Sequence, residues 1–127
     1  VKLFEDIPHI TDDDCIEVCN MIVEEKKYQC LLKILMDNRM SFSRVELFKK
    51  YAHYMSEKDQ AIYTEHVIDD LRKHLSYAKS KSYGYIVDDI KGMYTCCEVS
   101  KKLILDFVEE VEYNYGNRPA LMRLLRN

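Results

Sequence analysis

The sequence predicts an all-α fold, a compact single-domain bundle of six or seven helices, and three observations carry that expectation. Apolar residues recur at intervals of three and four along most of the chain, the interval that lines up side chains on one helical face. Glycine and proline are scarce, three and two in 127 residues, whereas sandwiches and barrels use turn residues roughly every 8 to 12 positions. Hydrophobic residues make up 47% of the chain and charged residues 32%, which is apolar area enough for one core and too much for a disordered chain. Residues 1–127 therefore read as one domain, with residues 1–10 as an irregular N-terminal arm.

Thr11 is a candidate N-cap, Asp12 to Asp14 suit the positive end of a helix, and Cys15, Val18, Cys19, Ile22 and Val23 follow at helical spacing. The first helix thus begins near Asp12. Glu24, Glu25, Lys26 and Lys27 fill a whole turn with charge before Leu31, Ile34 and Leu35 resume the apolar face, which predicts a kink or a short second helix. The pattern stops around Asp37-Asn38-Arg39. Ser43 and Glu46 then form an S-x-x-E capping box ahead of Val45, Phe48, Ala52 and Met55, giving a third helix that runs to about Met55. Ser56 with Asp59 is a weaker cap, and Ala61, Ile68, Leu71, Leu75 and Ala78 mark a long fourth helix. Residues 79–84 are linker-like. Ile86, Ile90, Met93 and Cys97 restart the stripe, and Ile104, Val108, Val111 and Tyr115 continue it, so residues 85–115 form one helix or two broken near Ser100. Gly116 is a C-terminal stop, and Pro119 suits the first turn of a last helix carrying Leu121, Met122 and Leu125.

Charge and cysteine usage narrow the function classes. A formal net charge of −3 gives no net attraction to nucleic acid or to an anionic membrane. Local basic groups occur at Lys49-Lys50, Arg72-Lys73, Lys79 with Lys81, and Arg118, Arg123 and Arg126; interspersed with acids and lacking an aromatic-flanked RNA motif, they read as a mixed-charge surface. No apolar run is long enough to span a membrane, and acidic Glu5 and Asp6 stand where a signal peptide would be basic and then apolar. Five cysteines, two of them adjacent at Cys96 and Cys97, suit reduced thiols in the cytoplasm or nucleus better than a disulfide framework. The start at Val1 rather than Met fits a trimmed chain or an excised domain.

Residues that could carry chemistry are few. His66, Asp70 and His74 stand four apart and could line up as metal ligands, but they lie opposite the Ile68-Leu71-Leu75 stripe, where polar residues belong in any case. Cys15 and Cys19, with Cys30 and His9, could be drawn as a zinc site, yet both Cys15 and Cys19 fall in the apolar stripe, where a thiol acts as a small hydrophobe. Cys96-Cys97 has Glu98 beside it rather than a base, so nothing local lowers a thiol pKa. Phosphate-binding glycine loops and the G-x-S-x-G elbow are absent, and Gly84, Gly92 and Gly116 are isolated. The expectation is a non-enzymatic protein without catalytic residues, metal or cofactor.

Tyrosine is the most informative excess, ten residues beside six methionines and no tryptophan. The third helix carries a second apolar line, Leu47, Tyr51 and Tyr54, besides Val45-Phe48-Ala52-Met55. Either this line meets a partner, a role that suits tyrosine because its ring supplies area while its hydroxyl keeps a hydrogen bond, or the helix is buried on both sides. Leu47, Tyr51 and Tyr54 are accordingly the candidate partner-binding residues of a protein–protein interaction module. The expected partner is another protein, a second copy of the chain included.

The ending of the chain, Leu103-Ile-Leu-Asp-Phe-Val followed by Ala120-Leu-Met-Arg-Leu-Leu-Arg, together with a composition rich in Asp, Lys, Ile and Tyr, resembles the poxvirus Bcl-2-like family of small intracellular helical proteins. The resemblance covers roughly the last quarter of the chain. It implies binding to a host protein of apoptosis or innate immune signalling, through a groove or helical face and without catalysis. Two alternatives stand beside it. Ile10-Thr-Asp-Asp-Asp-Cys and Cys30-Leu-Leu-Lys-Ile-Leu are similar to the second and third helices of a death-fold adaptor such as a CARD, and Arg72, Lys73, Lys79 and Lys81 could serve a helical nucleic-acid-binding module.

Overall fold

The computed structural model describes residues 12–37 and 44–127. The N-terminal arm, the Thr11 cap, His9, the Asn38-Arg39 break and Ser43 of the capping box lie outside the described residues. Among those described are seven α-helices and no strand: α1 (Asp12–Glu24), α2 (Leu31–Asp37), α3 (Arg44–Tyr51), α4 (Glu57–Tyr77), α5 (Tyr83–Tyr94), α6 (Glu98–Tyr115) and α7 (Pro119–Arg126). The all-α prediction holds.

The charged turn after α1 is a helix stop. The Lys27 amide donates to the Ile22 carbonyl and the Lys26 amide to the Val23 carbonyl, both at 3.0 Å, with Lys26 in the left-handed region at φ 58°. This is a Schellman turn built without glycine. A 3₁₀ turn, Tyr28–Cys30, then leads into α2, which buries Leu31, Ile34 and Leu35. Of the two sequence alternatives, the short second helix is realised.

The third helix ends earlier than Met55. At Ala52 it tightens into a 3₁₀ turn, Ala52–Tyr54, and Met55 is extended at φ −91°, ψ 149°. Ser56 caps α4 by accepting the Asp59 amide at 3.1 Å, a bond that fixes where the chain must straighten. The linker-like stretch after α4 contains a 3₁₀ turn at Ser80–Ser82. Between α5 and α6 the break falls at residues 95–97, just ahead of Ser100. There Thr95 Oγ1 and Cys96 Sγ both donate to the Gly92 carbonyl, at 2.8 and 3.3 Å, drawing the last turn away from helical continuation. Gly116 is right-handed, φ −59°, so handedness does not require it; a Cβ there would lie 2.7 Å from the Glu112 carbonyl oxygen.

Helix α5 sits at the centre, touching α3, α4, α6 and α7, while α1 joins the bundle through α2. Its approach to α3 is close enough that a Cβ on Gly92 would meet Val45 Cγ1 at 2.6 Å. Helices α4 and α6 run parallel: Thr64 meets Ser100 early in both, and Arg72 meets Glu110 farther on. Thr64 and Ser100 are fully buried and satisfied. Thr64 donates to the Gln60 carbonyl at 2.8 Å, so Ser100 donates to Thr64 at 2.7 Å. The buried apolar side chains form one continuous core, with the rings of Phe48 and Tyr63 stacked at 4.5 Å. Among the described residues no helix is long and apolar enough to cross a membrane.

Candidate functional site

The three residues proposed from sequence to face a partner separate in the structure. Leu47 and Tyr51 are buried, at 3% and 2% exposure, and Tyr54 alone reaches solvent, at 37%. As a continuous free line, Leu47-Tyr51-Tyr54 is therefore corrected: α3 is packed by α2 and α5, and Tyr51 extends across to α1, so the doubly buried alternative describes Leu47 and Tyr51. The Tyr51 hydroxyl donates to Asn20 Oδ1 at 2.7 Å, with the Ile16 carbonyl oxygen 3.2 Å away. Burial first, then the neighbouring thiols Cys19 and Cys15, push its pKa up to about 12.

Between this tyrosine and the end of α1 a groove of about 400 Å³ opens. Asn20, Val23 and Glu24 of α1 form one wall; Lys50, Tyr51, His53 and Tyr54 form the other. The aromatic rim is held by ring contacts within the chain. Tyr54 stacks on Tyr28 at 5.5 Å with 12° between the rings, and His53 lies 4.0 Å from Tyr54. The Schellman turn at Lys26 brings Tyr28 to that position. Neither Tyr28 nor Asn20 carried a signal in the sequence, because Tyr28 falls in the charged interruption and Asn20 is one polar residue on a mixed helix face.

A second polar cluster lies between α3, α4 and α5. The nearly buried Arg44 guanidinium donates through Nη1 to Asp70 and through Nη2 to Asp89, the latter at 3.0 Å, while Tyr63 donates to the Arg44 carbonyl at 2.9 Å. Burial alone would raise Asp70, but the hydrogen bond and charge of Arg44 outweigh it and hold the carboxyl below its ordinary value. At Asp89 burial wins, and its pKa is raised. Both carboxylates are thus engaged in an ion-pair clamp, which ties three helices together.

The His66-Asp70-His74 line is not assembled for a metal. Asp70 turns to Arg44, His66 lies 6.4 Å from the Tyr63 ring, and His74 stands edge-on to Tyr77 and Tyr85. Among the described residues no group of three His, Cys, Asp or Glu could hold a metal ion. Cys15 and Cys19 are core residues; the hydrogen bond to Cys15, then burial, raise the Cys19 thiol. Cys96 is pushed up to about 12 by burial, and Cys97 Sγ lies 3.2 Å from Ser100 Oγ. Thiols such as Cys19 and Cys96 stay protonated and are poor nucleophiles.

No family model, curated protein or solved structure matches the chain.

Proposed function

We propose that the protein is a non-catalytic protein–protein interaction module that accepts an apolar side chain of its partner in the groove between α1 and the Tyr51–Tyr54 segment. One observation carries the reading: the groove walls are held by contacts within the chain. Tyr51 is held by Asn20, and Tyr54 by Tyr28 and His53. Pre-organised aromatic rings spare a binding reaction the entropy of ordering side chains, and tyrosine dominates the energetics of many interfaces. The volume is at the lower end of the range for binding clefts, about 300–1,000 Å³, and suits one or two anchoring side chains from an amphipathic helix or an extended segment. The resemblance of the closing helices to the poxvirus Bcl-2-like proteins would make that partner a component of apoptotic or innate immune signalling.

The test substitutes Tyr54, because Tyr51→Glu would place a carboxylate in the core. Proteins retained by the wild type, Tyr54→Phe and Tyr54→Glu are identified by mass spectrometry alongside thermal melting of each variant. A specific partner held by wild type and Tyr54→Phe, and weakened about tenfold or more by Tyr54→Glu at unchanged melting, is the expected result. Equal retention by Tyr54→Glu would remove the groove as the site.

A further inference from the structure

The net charge of −3 conceals a marked segregation. Residues 71–87 and 113–127 contain no Asp or Glu, yet hold seven of the 19 Lys and Arg; the other 95 residues carry the remaining twelve cations against all 22 acids, a formal −10. Along the sequence these are two separate acid-free stretches. The fold brings the two acid-free segments together. Arg118 Nη1 donates to the Leu75 carbonyl at 3.2 Å in the last turn of α4 and lies 3.3 Å from the Tyr83 hydroxyl at the start of α5, while its guanidinium stacks on Tyr115 at 4.5 Å. The end of α4, the start of α5, the end of α6 and the start of α7 thus meet at one end of the bundle.

Two further properties mark this end. Tyr113 and Tyr77, at 90% and 70%, are the most exposed large hydrophobic side chains among the described residues, and Tyr85 is exposed at 48%. Tyr77 and Tyr85 flank His74 at 6.0 and 5.9 Å, and His74 Nδ1 is buried with no hydrogen-bond partner. Arg72 is engaged by Glu110 and Asp69, and Arg126 reaches Glu112. Lys73, Lys79 and Lys81 are exposed, and no acidic group in the described structure pairs with them. Lys73 stands one turn before Tyr77 on the same face of α4.

We infer that this basic, tyrosine-bearing end is a second docking surface whose occupant is a short acidic segment of a partner protein. The unpaired lysines supply charge complementarity, and the exposed rings supply area for an apolar residue within the segment. A long nucleic acid fits less well, because it would run from the patch onto a remainder of formal charge −10, with like-charge repulsion at short range. The surface is separate from the groove and does not depend on it.

Fluorescence anisotropy with the full chain tests the inference, using a labelled peptide of Glu-Glu-Phe repeats, the matching Gln-Gln-Phe peptide and an oligothymidylate. Binding of the Glu-Glu-Phe probe is expected to exceed that of Gln-Gln-Phe, to weaken as salt rises, and to fall about tenfold in Lys79→Glu/Lys81→Glu while persisting in Tyr54→Glu. Tyr77→Ser, at a site open to solvent, should weaken the same probe without altering the helical circular dichroism. The inference is overturned by tighter binding of oligothymidylate than of the acidic peptide, by no binding of the peptide, or by binding that both variants leave unchanged. Salt-sensitive self-association lost in Lys79→Glu/Lys81→Glu would assign the surface to a second copy instead, and would equally overturn it.

Discussion

Lys26 holds a left-handed conformation that a side chain with a Cβ enters at a cost of about 1–2 kcal/mol. The cost is borne because the Schellman bonds from Lys26 and Lys27 close the end of α1 and set Tyr28 against Tyr54. Lys26→Gly should therefore raise stability by about 0.5–1 kcal/mol, less than the full strain because glycine loses more chain entropy on folding. A higher urea midpoint at unchanged slope is the expected observation; a lower midpoint would show that the lysine stem contributes packing that outweighs its strain. At this scale the sequence was half legible. Four consecutive charges marked the interruption, but nothing in a lysine announces a positive φ.

Among elements, the clamp of Arg44 on Asp70 and Asp89 joins α3, α4 and α5 through residues 26 and 45 positions away. Arg44→Leu should cost about 3 kcal/mol by leaving two carboxylates without their cation, read as a fall in the denaturation midpoint. The clamp also sets the response to acid. Asp70 and Glu110, the latter lowered by its hydrogen bond to Arg72, have folded pKa values below their ordinary values near 3.8 and 4.5. Their contributions are complete above those ordinary values and are lost as pH falls through the lowered folded ones. Asp89 has the opposite sign: its raised folded pKa means that protonation favours the folded state first as pH drops from neutral. Urea midpoints should therefore hold or rise slightly on mild acidification, then fall below about pH 3.8, with Asp89→Asn removing the rise and Asp70→Asn shrinking the fall. Glu110 is partly exposed, so salt screens its share. Helix order and most boundaries could be read from spacing, caps and Pro119, since those signals are local. The clamp could not, because an arginine and two aspartates far apart along the chain look like ordinary surface charge until the helices pack.

For the whole molecule, the all-α class followed from composition and periodicity, and the single continuous core accounts for both. Function was far less legible. The tyrosine excess pointed to a face, but amphipathic spacing on α3 could not say that α1, α2 and α5 would cover Leu47 and Tyr51 and leave Tyr54 at a rim. Equally, residues 71–87 and 113–127 are acid-free in the sequence, but that they share one end of the bundle is visible only once Arg118 joins the ends of α4 and α6 to the starts of α5 and α7. That separation leaves the formal charge uneven between one end of the bundle and the rest. A body with seven cations in acid-free stretches at one end and a formal excess of acids over the rest presents a different charge to each surface it approaches. It should be retained on a cation-exchange resin at a pH where its negative net charge alone would send it straight through, and on an anion exchanger as well, held by opposite ends.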